Sequence, residues 1–262
     1  MILPRRGPAA GLRALALAAA LSALAGCASA PAGGGTGGEA GAAARPADPV
    51  ARIDPLEPLN RSIYAFNDAV DRAVLKPAAK GYEAAVPRTF RDMTGNFFGN
   101  LADLWTAVNQ LLQGKPAEAF SDLSRVAINT TFGFGGLADV ASEMGLEKHD
   151  EDLGQTLGAW GVPPGPYLVL PFLGPSSFRD APARAVDMVA DPLDELGSRG
   201  QANNLWLTRL IDGRARLFPA ERVLEGAALD KYSFTRDAWL QRRRNQVYDG
   251  NPPLEEEEEL PQ

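Results

Sequence analysis

The chain has 262 residues, 45% of them hydrophobic and 23% charged, with a formal net charge of −7, one cysteine and one histidine. A single cysteine excludes an intramolecular disulfide framework; a single histidine excludes imidazole-based metal clusters and leaves Ser-His-Asp or Cys-His catalysis only His149 to use. The acidic balance excludes general attraction to nucleic acid, and it deepens to −10 without residues 1–26, which hold three arginines and no acids.

Arg5, Arg6 and Arg13 form a positive n-region, and Leu15, Leu17, Leu21 and Leu24 among alanines make an apolar stretch of about ten residues. That length suits a signal peptide and falls well short of the ~20 residues that cross a bilayer. Leu24-Ala25-Gly26-Cys27 then sets small residues before a cysteine, similar to the lipobox at which lipid is joined to the thiol before cleavage. Residues 1–26 are therefore expected to leave as a lipoprotein signal peptide, with lipid on Cys27. Three acyl chains would anchor the product stably, at about 0.8 kcal/mol per buried CH₂. Ala28, where some lipoproteins carry aspartate, resembles the pattern released to the outer membrane.

Residues 27–53 are rich in Ala, Gly and Pro and hold almost no large apolar side chain, so burial cannot offset the entropy of ordering them. They read as a lipidated flexible tether with a reach of roughly 25–30 Å. At the other end, residues 251–262 carry Pro252-Pro253 and an acidic run from Glu255 to Glu259, which reads as a disordered acidic tail.

The 200 or so residues between suit one domain, and their apolar period is helical. Asp54-Pro55-Leu56-Glu57 has the form of a capping box, with Pro58 as an alternative start. Leu59, Ile63, Phe66, Val70 and Val74 mark one face of that helix, and Pro77 is expected to stop it. Asn100, with Asp103 three later, predicts the cap of a second helix, with Leu101, Leu104, Val108 and Leu111 inward and Gly114 as terminator. Pro116 opens a third, striped by Phe120, Leu123 and Val126 and ending at Gly133. Further helices are predicted over 178–190, 204–218, 220–229 and 235–248.

Residues 131–139 are rich in glycine and residues 154–177 in glycine and proline, with 167–170 as a short strand. No run of eighteen apolar residues follows the signal, so the body is not expected to cross a bilayer by an ordinary helix. Phe97, Phe98, Trp105, Phe120, Phe132, Phe134, Trp160 and Phe172 would serve a core or a surface dipped into lipid, and the core is the expected place.

The order and spacing of several motifs resemble the MlaA, or VacJ, family of outer-membrane phospholipid-transport lipoproteins. They begin with Asp54-Pro55-Leu56-Glu57, Asn60-Arg61, Tyr64, Phe66-Asn67 and Asp71. They continue with Asn96-Phe97, Asn100, Leu111-Leu112-Gln113-Gly114, Asn129, Gly133, Gly135-Gly136 and Asp139. The most specific stretch is Thr156-Leu157-Gly158-Ala159-Trp160-Gly161-Val162, followed by Gly165-Pro166-Tyr167-Leu168-Val169-Leu170-Pro171, Gly174-Pro175-Ser176 and Arg179-Asp180. The match covers residues 54–250 and is looser after about Asp191.

The resemblance implies a mainly α, single helical domain, ring-like and lying in the inner leaflet of the outer membrane, around an amphipathic channel. It implies a non-enzymatic protein at the periplasmic face that removes misplaced phospholipid from the outer leaflet and so maintains lipid asymmetry. The lipid would pass to a periplasmic lipid-carrier protein feeding an inner-membrane ATP-driven complex, with a trimeric porin as companion. The rivals are a porin-associated structural scaffold without transport activity and a hydrolase built on carboxylate pairs.

Within this frame Asn60, Arg61, Tyr64 and Asn67 share one side of a helix and serve either the lipid path or capping and packing. The Gly/Pro-rich stretch lines or gates the path, with Gly158, Trp160, Gly161, Tyr167 and Pro171 nearest the lipid, or is a folded surface crossover. Gly133-Phe134-Gly135-Gly136 lacks the spacing and the Gly-Lys-Ser/Thr of a phosphate-cradling loop. His149 is expected in a solvated loop, and Arg242-Arg243-Arg244 on a solvated helix face. No cofactor, metal or nucleic-acid site is expected. Mass spectrometry of the N-terminal peptide should find the mature chain beginning at a lipid-modified Cys27, and Cys27→Ala should leave an uncleaved precursor; a free thiol or cleavage elsewhere would refute the anchor.

Overall fold

The structure is a computed structural model that describes residues 54–253. The signal, Cys27, the tether and residues 254–262 lie outside the described residues. What is described is mainly helical.

Helix α1, Glu57–Val70, runs through a π-helical segment, Asp71–Leu75, into α2, Lys76–Ala85. The expected capping box does not form: Glu57 and Pro58 open the helix, and no side chain caps it. Asp54 is buried instead and accepts a hydrogen bond from Asn60 Nδ2 at 2.8 Å. Nor does Pro77 stop the helix, because it falls in the first turn of α2 just after the π segment. There the wider i→i+5 winding, seen as Lys76 N–H donating to Asp71 O, shifts the backbone whose carbonyl a proline ring would otherwise strike.

Helix α3, Arg88–Leu112, is 25 residues long, so Asn100 lies inside it and is not its cap. Asn100 and Asp103 face inward from mid-helix, where Asn100 Nδ2 donates to Thr130 Oγ1 at 3.2 Å. Gly114, at φ +78°, does terminate this helix, and Pro116 does open α4, Pro116–Thr131. Short helices α5, Val140–Glu143, and α6, Leu153–Ala159, follow, neither of them among the predicted helices. The strand β1, Tyr167–Leu170, is present and pairs antiparallel with β2, Gly174–Ser177, which the sequence did not signal. Helices α7, Asp180–Ala190, α8, Arg199–Arg216, α9, Phe218–Ala227, and α10, Lys231–Val247, complete the body, with a 3₁₀ turn Pro192–Glu195 after α7.

The polarity of this fold is inverted. On α4 the inward positions are Ala119, Asp122, Arg125 and Asn129, while Phe120 is 73% exposed and Leu123 points out with it. On α3 the buried side carries Asp103, Thr106, Asn109 and Gln110, and Leu104, Val108 and Leu111, expected inward, are exposed. Leu59, Phe66 and Val74 face outward in the same way. Of the aromatic residues expected in a core only Phe98 is buried; Phe120, Phe132, Phe134, Trp160 and Phe172 are exposed.

Apolar clusters are correspondingly small. One joins Ala79, Ala215 and Phe218 with Tyr82, and the other joins Tyr167, Val169 and Tyr232 with Ile63, Tyr64, Trp239 and Leu240. Among the described residues no helix is long and apolar enough to cross a membrane.

The interior between α3, α4 and α5 is held by charge. Arg125 is buried, with Nη2 donating to both carboxylate oxygens of Asp139 at 2.9 and 3.0 Å and Nη1 donating to Ser142 Oγ at 3.0 Å. Its Nε lies 3.7 Å from Asp103 and 3.9 Å from Asp122. His149 lies in the expected loop, but its side chain is only partly exposed, with Nδ1 2.9 Å from the buried carboxylate of Asp122. In detergent, Arg125→Met should lower stability by roughly 3–5 kcal/mol, because it strands buried carboxylates. Phe120→Ala should cost under about 1 kcal/mol, because nothing in the interior rests on it. Thermal denaturation of both variants checks the pair, and the reverse order would restore a conventional apolar core.

Candidate functional site: an amphipathic cavity walled by arginines and tryptophans

The described residues form an open cavity of about 820 Å³, lined from α3, residues 150–152, the β2 strand, α7, α8 and α10. That is at the upper end of the volumes typical of small-molecule sites. Its lining is amphipathic: Trp105, Met188, Trp206, Leu210, Leu217 and Trp239 supply apolar surface, and aspartates and arginines supply charge.

The charges are held by their neighbours. Arg243, from α10, makes a bidentate pair with Asp152 at 2.6 and 2.7 Å and reaches Asp180 at 3.0 Å. Asp180 also accepts from Arg179 Nε at 2.8 Å, and Asp152 caps α6 by accepting from Gln155 N. Burial pushes both aspartates up. Hydrogen bonds from Arg243 to Asp152, and from Arg179 and Arg243 to Asp180, outweigh it and hold both below the ordinary carboxylate value. Arg214 is fixed by Asp71 at 2.6 and 2.8 Å and by Glu221 at 2.9 Å, and Arg209 pairs with Asp191 while stacking over Trp206. Asp187 accepts from Trp105 Nε1 at 2.8 Å and from Leu153 N at 3.1 Å, and burial pushes it up. Among the described residues no group of three or more His, Cys, Asp or Glu side chains is placed to hold a metal.

The residues singled out from sequence lie elsewhere, since none of the nine lines this cavity. Asn60 Nδ2 donates to Tyr167 O at 3.1 Å while its Oδ1 accepts from Val169 N at 2.9 Å. Two turns on, Asn67 Nδ2 donates to Leu170 O at 2.9 Å and its Oδ1 accepts from Phe172 N at 2.8 Å. The strand β1 is thus completed on one edge by β2 and on the other by two side-chain amides of α1, which replace a missing third strand. Arg61 pairs with Glu57 and Asp230 and lies 4.4 Å over the Tyr232 ring, whose face Tyr64 meets edge-on at 5.6 Å. Tyr167 is buried against Tyr232 and Trp239. These five residues therefore meet around the hairpin, and Pro171 is exposed in its turn.

The other three sit apart, at the end of α6. A Cβ on Gly158 would come 2.7 Å from Arg179 Nη1 and 2.8 Å from Val247, so close packing requires that glycine. Gly161 sits at φ +88°, which favours glycine whatever space surrounds it. Trp160 is exposed and donates from Nε1 to Leu112 O at 2.9 Å.

Sequence patterning does not single out the cavity residues Arg184, Asp187, Trp206 and Arg209. Their one signal is polar residues at helical spacing within 178–190 and 204–218, where only apolar stripes were read. Arg243 also corrects the expectation of a solvated Arg242-Arg243-Arg244 face: its side chain is nearly buried while that of Arg242 is exposed.

A family model described as "MlaA lipoprotein" matches residues 52–246. The chain belongs to the MlaA lipoprotein family. An intermembrane phospholipid transport system lipoprotein MlaA of Haemophilus influenzae is 34% identical over 212 residues, 79% of this chain and 84% of that one. An uncharacterized protein of Rickettsia typhi is 42% identical over 127 residues, 48% of this chain and 51% of its own, so the chain spans about half the length of that relative. A solved MlaA-family structure, described as "Structural basis for maintenance of bacterial outer membrane lipid asymmetry", aligns with TM-score 0.65 and 32% identity over 76% of this chain and 100% of its own.

Arg243→Met should lower stability by roughly 3 kcal/mol at neutral pH, because Asp180 would stay buried with one guanidinium fewer. Because both aspartates are depressed in the folded state, the contribution of their pairs is present above the ordinary carboxylate value and is lost as pH falls through the depressed one. The gap in melting temperature between wild type and Arg243→Met should therefore close on acidification below about pH 4; a gap that persists there would mean that Arg243 acts by packing.

Proposed function

We propose that this protein moves phospholipid through the cavity: it takes molecules misplaced in the outer leaflet of the outer membrane and passes them to a periplasmic lipid-carrier protein. The observation that carries this reading is the inverted polarity, with an apolar exterior around an amphipathic cavity. An exterior of that kind suits a ring of helices seated in the inner leaflet, fixed by lipid on Cys27. The cavity then gives a headgroup a polar wall and acyl chains an apolar one. Family membership and the names of the relatives point the same way.

The hairpin borders the cavity through Pro175 and Ser176, so Asn60, Arg61, Tyr64, Asn67 and Tyr167 act on the path as the frame that holds that wall. A trimeric porin fits against the exposed apolar faces, and an ATP-driven inner-membrane complex lies beyond the carrier. No chemical step is assigned. A purely structural scaffold would have no use for the cavity.

Gly213 offers the test, because it lines the cavity and a Cβ there meets nothing within 4 Å. Gly213→Trp should accumulate at wild-type level, fill the passage and leave phospholipid in the outer leaflet, as loss of the protein should. Gly81→Trp, equally open but outside the cavity, should behave as wild type. Normal lipid clearance by Gly213→Trp would move the passage to another part of the chain.

A further inference from the structure

Five arginines contribute to the cavity wall, and four of them have a carboxylate within 4 Å. Arg184, on α7, has none: its one hydrogen bond among the described residues runs from Nη1 to Pro175 O at 3.5 Å. The acids around it are committed elsewhere. Asp152 gives both oxygens to Arg243, Asp180 is shared by Arg179 and Arg243, and Asp187 is held by Trp105 and the Leu153 amide. Burial lowers the basicity of this guanidinium and Arg243 adds repulsion, while Asp152 and Asp187 attract it from beyond hydrogen-bonding distance; its side chain stands open to the cavity. A cation in that position has five N–H donors and almost nothing to give them to.

We propose that Arg184 is the anion-binding subsite of the passage, where its guanidinium receives the phosphodiester of a phospholipid in transit. The inference rests on the transport reading above and adds where the headgroup stops. A planar fork matches two phosphate oxygens at once, and such charge-assisted pairs are about twice as strong as neutral hydrogen bonds. Met188, one turn along the same helix, continues the wall as apolar surface, so phosphate and the start of an acyl chain would lie along one helix face. The nearby aspartates offset part of its charge at a distance, but their hydrogen bonds go to Arg243, Trp105 and the Leu153 amide, which leaves the Arg184 donors for a ligand. Arg242 is not equivalent, because it stands at an exposed position 3.9 Å from Asp150.

The test uses the purified lipoprotein in detergent, stripped of lipid and titrated separately with dihexanoyl phosphatidylglycerol, dihexanoyl glycerol and inorganic phosphate, with binding read by native mass spectrometry. The wild type should bind the phospholipid roughly tenfold more tightly than the phosphate-free diglyceride, as expected of a charged hydrogen bond in a partly closed site. Arg184→Gln should lose that preference while still binding diglyceride, Arg184→Lys should keep part of it, and Arg242→Gln should keep all of it. Arg184→Lys retains the charge, so it decides the matter if Arg184→Gln does not fold: a preference reduced from wild type but present supports the subsite.

Undiminished preference for phospholipid in Arg184→Gln, or in Arg184→Lys if only that variant folds, would overturn the subsite and leave transport standing. Inorganic phosphate bound as tightly as phospholipid would make this a free-phosphate site and overturn the lipid assignment. A wild type that binds neither lipid would overturn the transport reading, and the subsite with it.

Discussion

A guanidinium taken out of water has to be met by carboxylates and carbonyls, and Arg125 is met from three directions. Asp122 comes from its own helix, Asp103 from α3, and Asp139, Ser142 and the Leu146 carbonyl from the segment after α4. Asn129 closes the same group by donating to Asp139 and accepting from the Ala141 amide. Once these polar groups occupy the seam between α3 and α4, the leucines and phenylalanines of both helices have only the outside left. The inverted polarity is therefore one consequence of a single packing decision. A buried pair adds little net stability, but removing one partner is costly, so such a seam fixes which faces can meet.

The same logic builds the cavity. Arg243 joins α10 to the start of α6 and of α7, and Arg214 joins α8 to the end of α1 and to α9. Helices tied by ion pairs along their edges need not interlock apolar side chains, and space can remain between them. That space is lined by whatever the pairs leave over: tryptophan rings, a few aliphatic side chains, and the guanidinium of Arg184.

Sequence alone showed the helices well and their orientation badly. Gly114, Pro116 and the strand at Tyr167 mark local backbone preferences, and each falls where expected. Helical period was equally legible, yet an amphipathic stripe says only that two faces differ. It does not say which one meets solvent, lipid or core, and here that choice reverses the burial of Leu104, Val108 and Phe120. Asn100 looked like a cap because the side chain that caps a helix start is also suited to buried polar contacts. The asparagine pair Asn60 and Asn67 could be placed on one helix face, but their roles on β1 depend on pairing across more than a hundred residues. Arg184 and Arg243 are alike in sequence, and only the positions of Asp152, Asp180 and Asp187 separate the paired cation from the open one.

The central claim is that the apolar side of α3 and α4 meets lipid. With the proposed lipid on Cys27 blocking that thiol, a nitroxide placed at Phe120→Cys would be the one labelled site. Its collision rates with oxygen and with a water-soluble nickel chelate can be read by paramagnetic resonance in reconstituted vesicles. Oxygen should dominate at Phe120→Cys, and the chelate should gain at Gly213→Cys in the cavity. A nitroxide at Phe120→Cys that the chelate reaches as freely as a water-exposed site would show that this face does not lie in the bilayer.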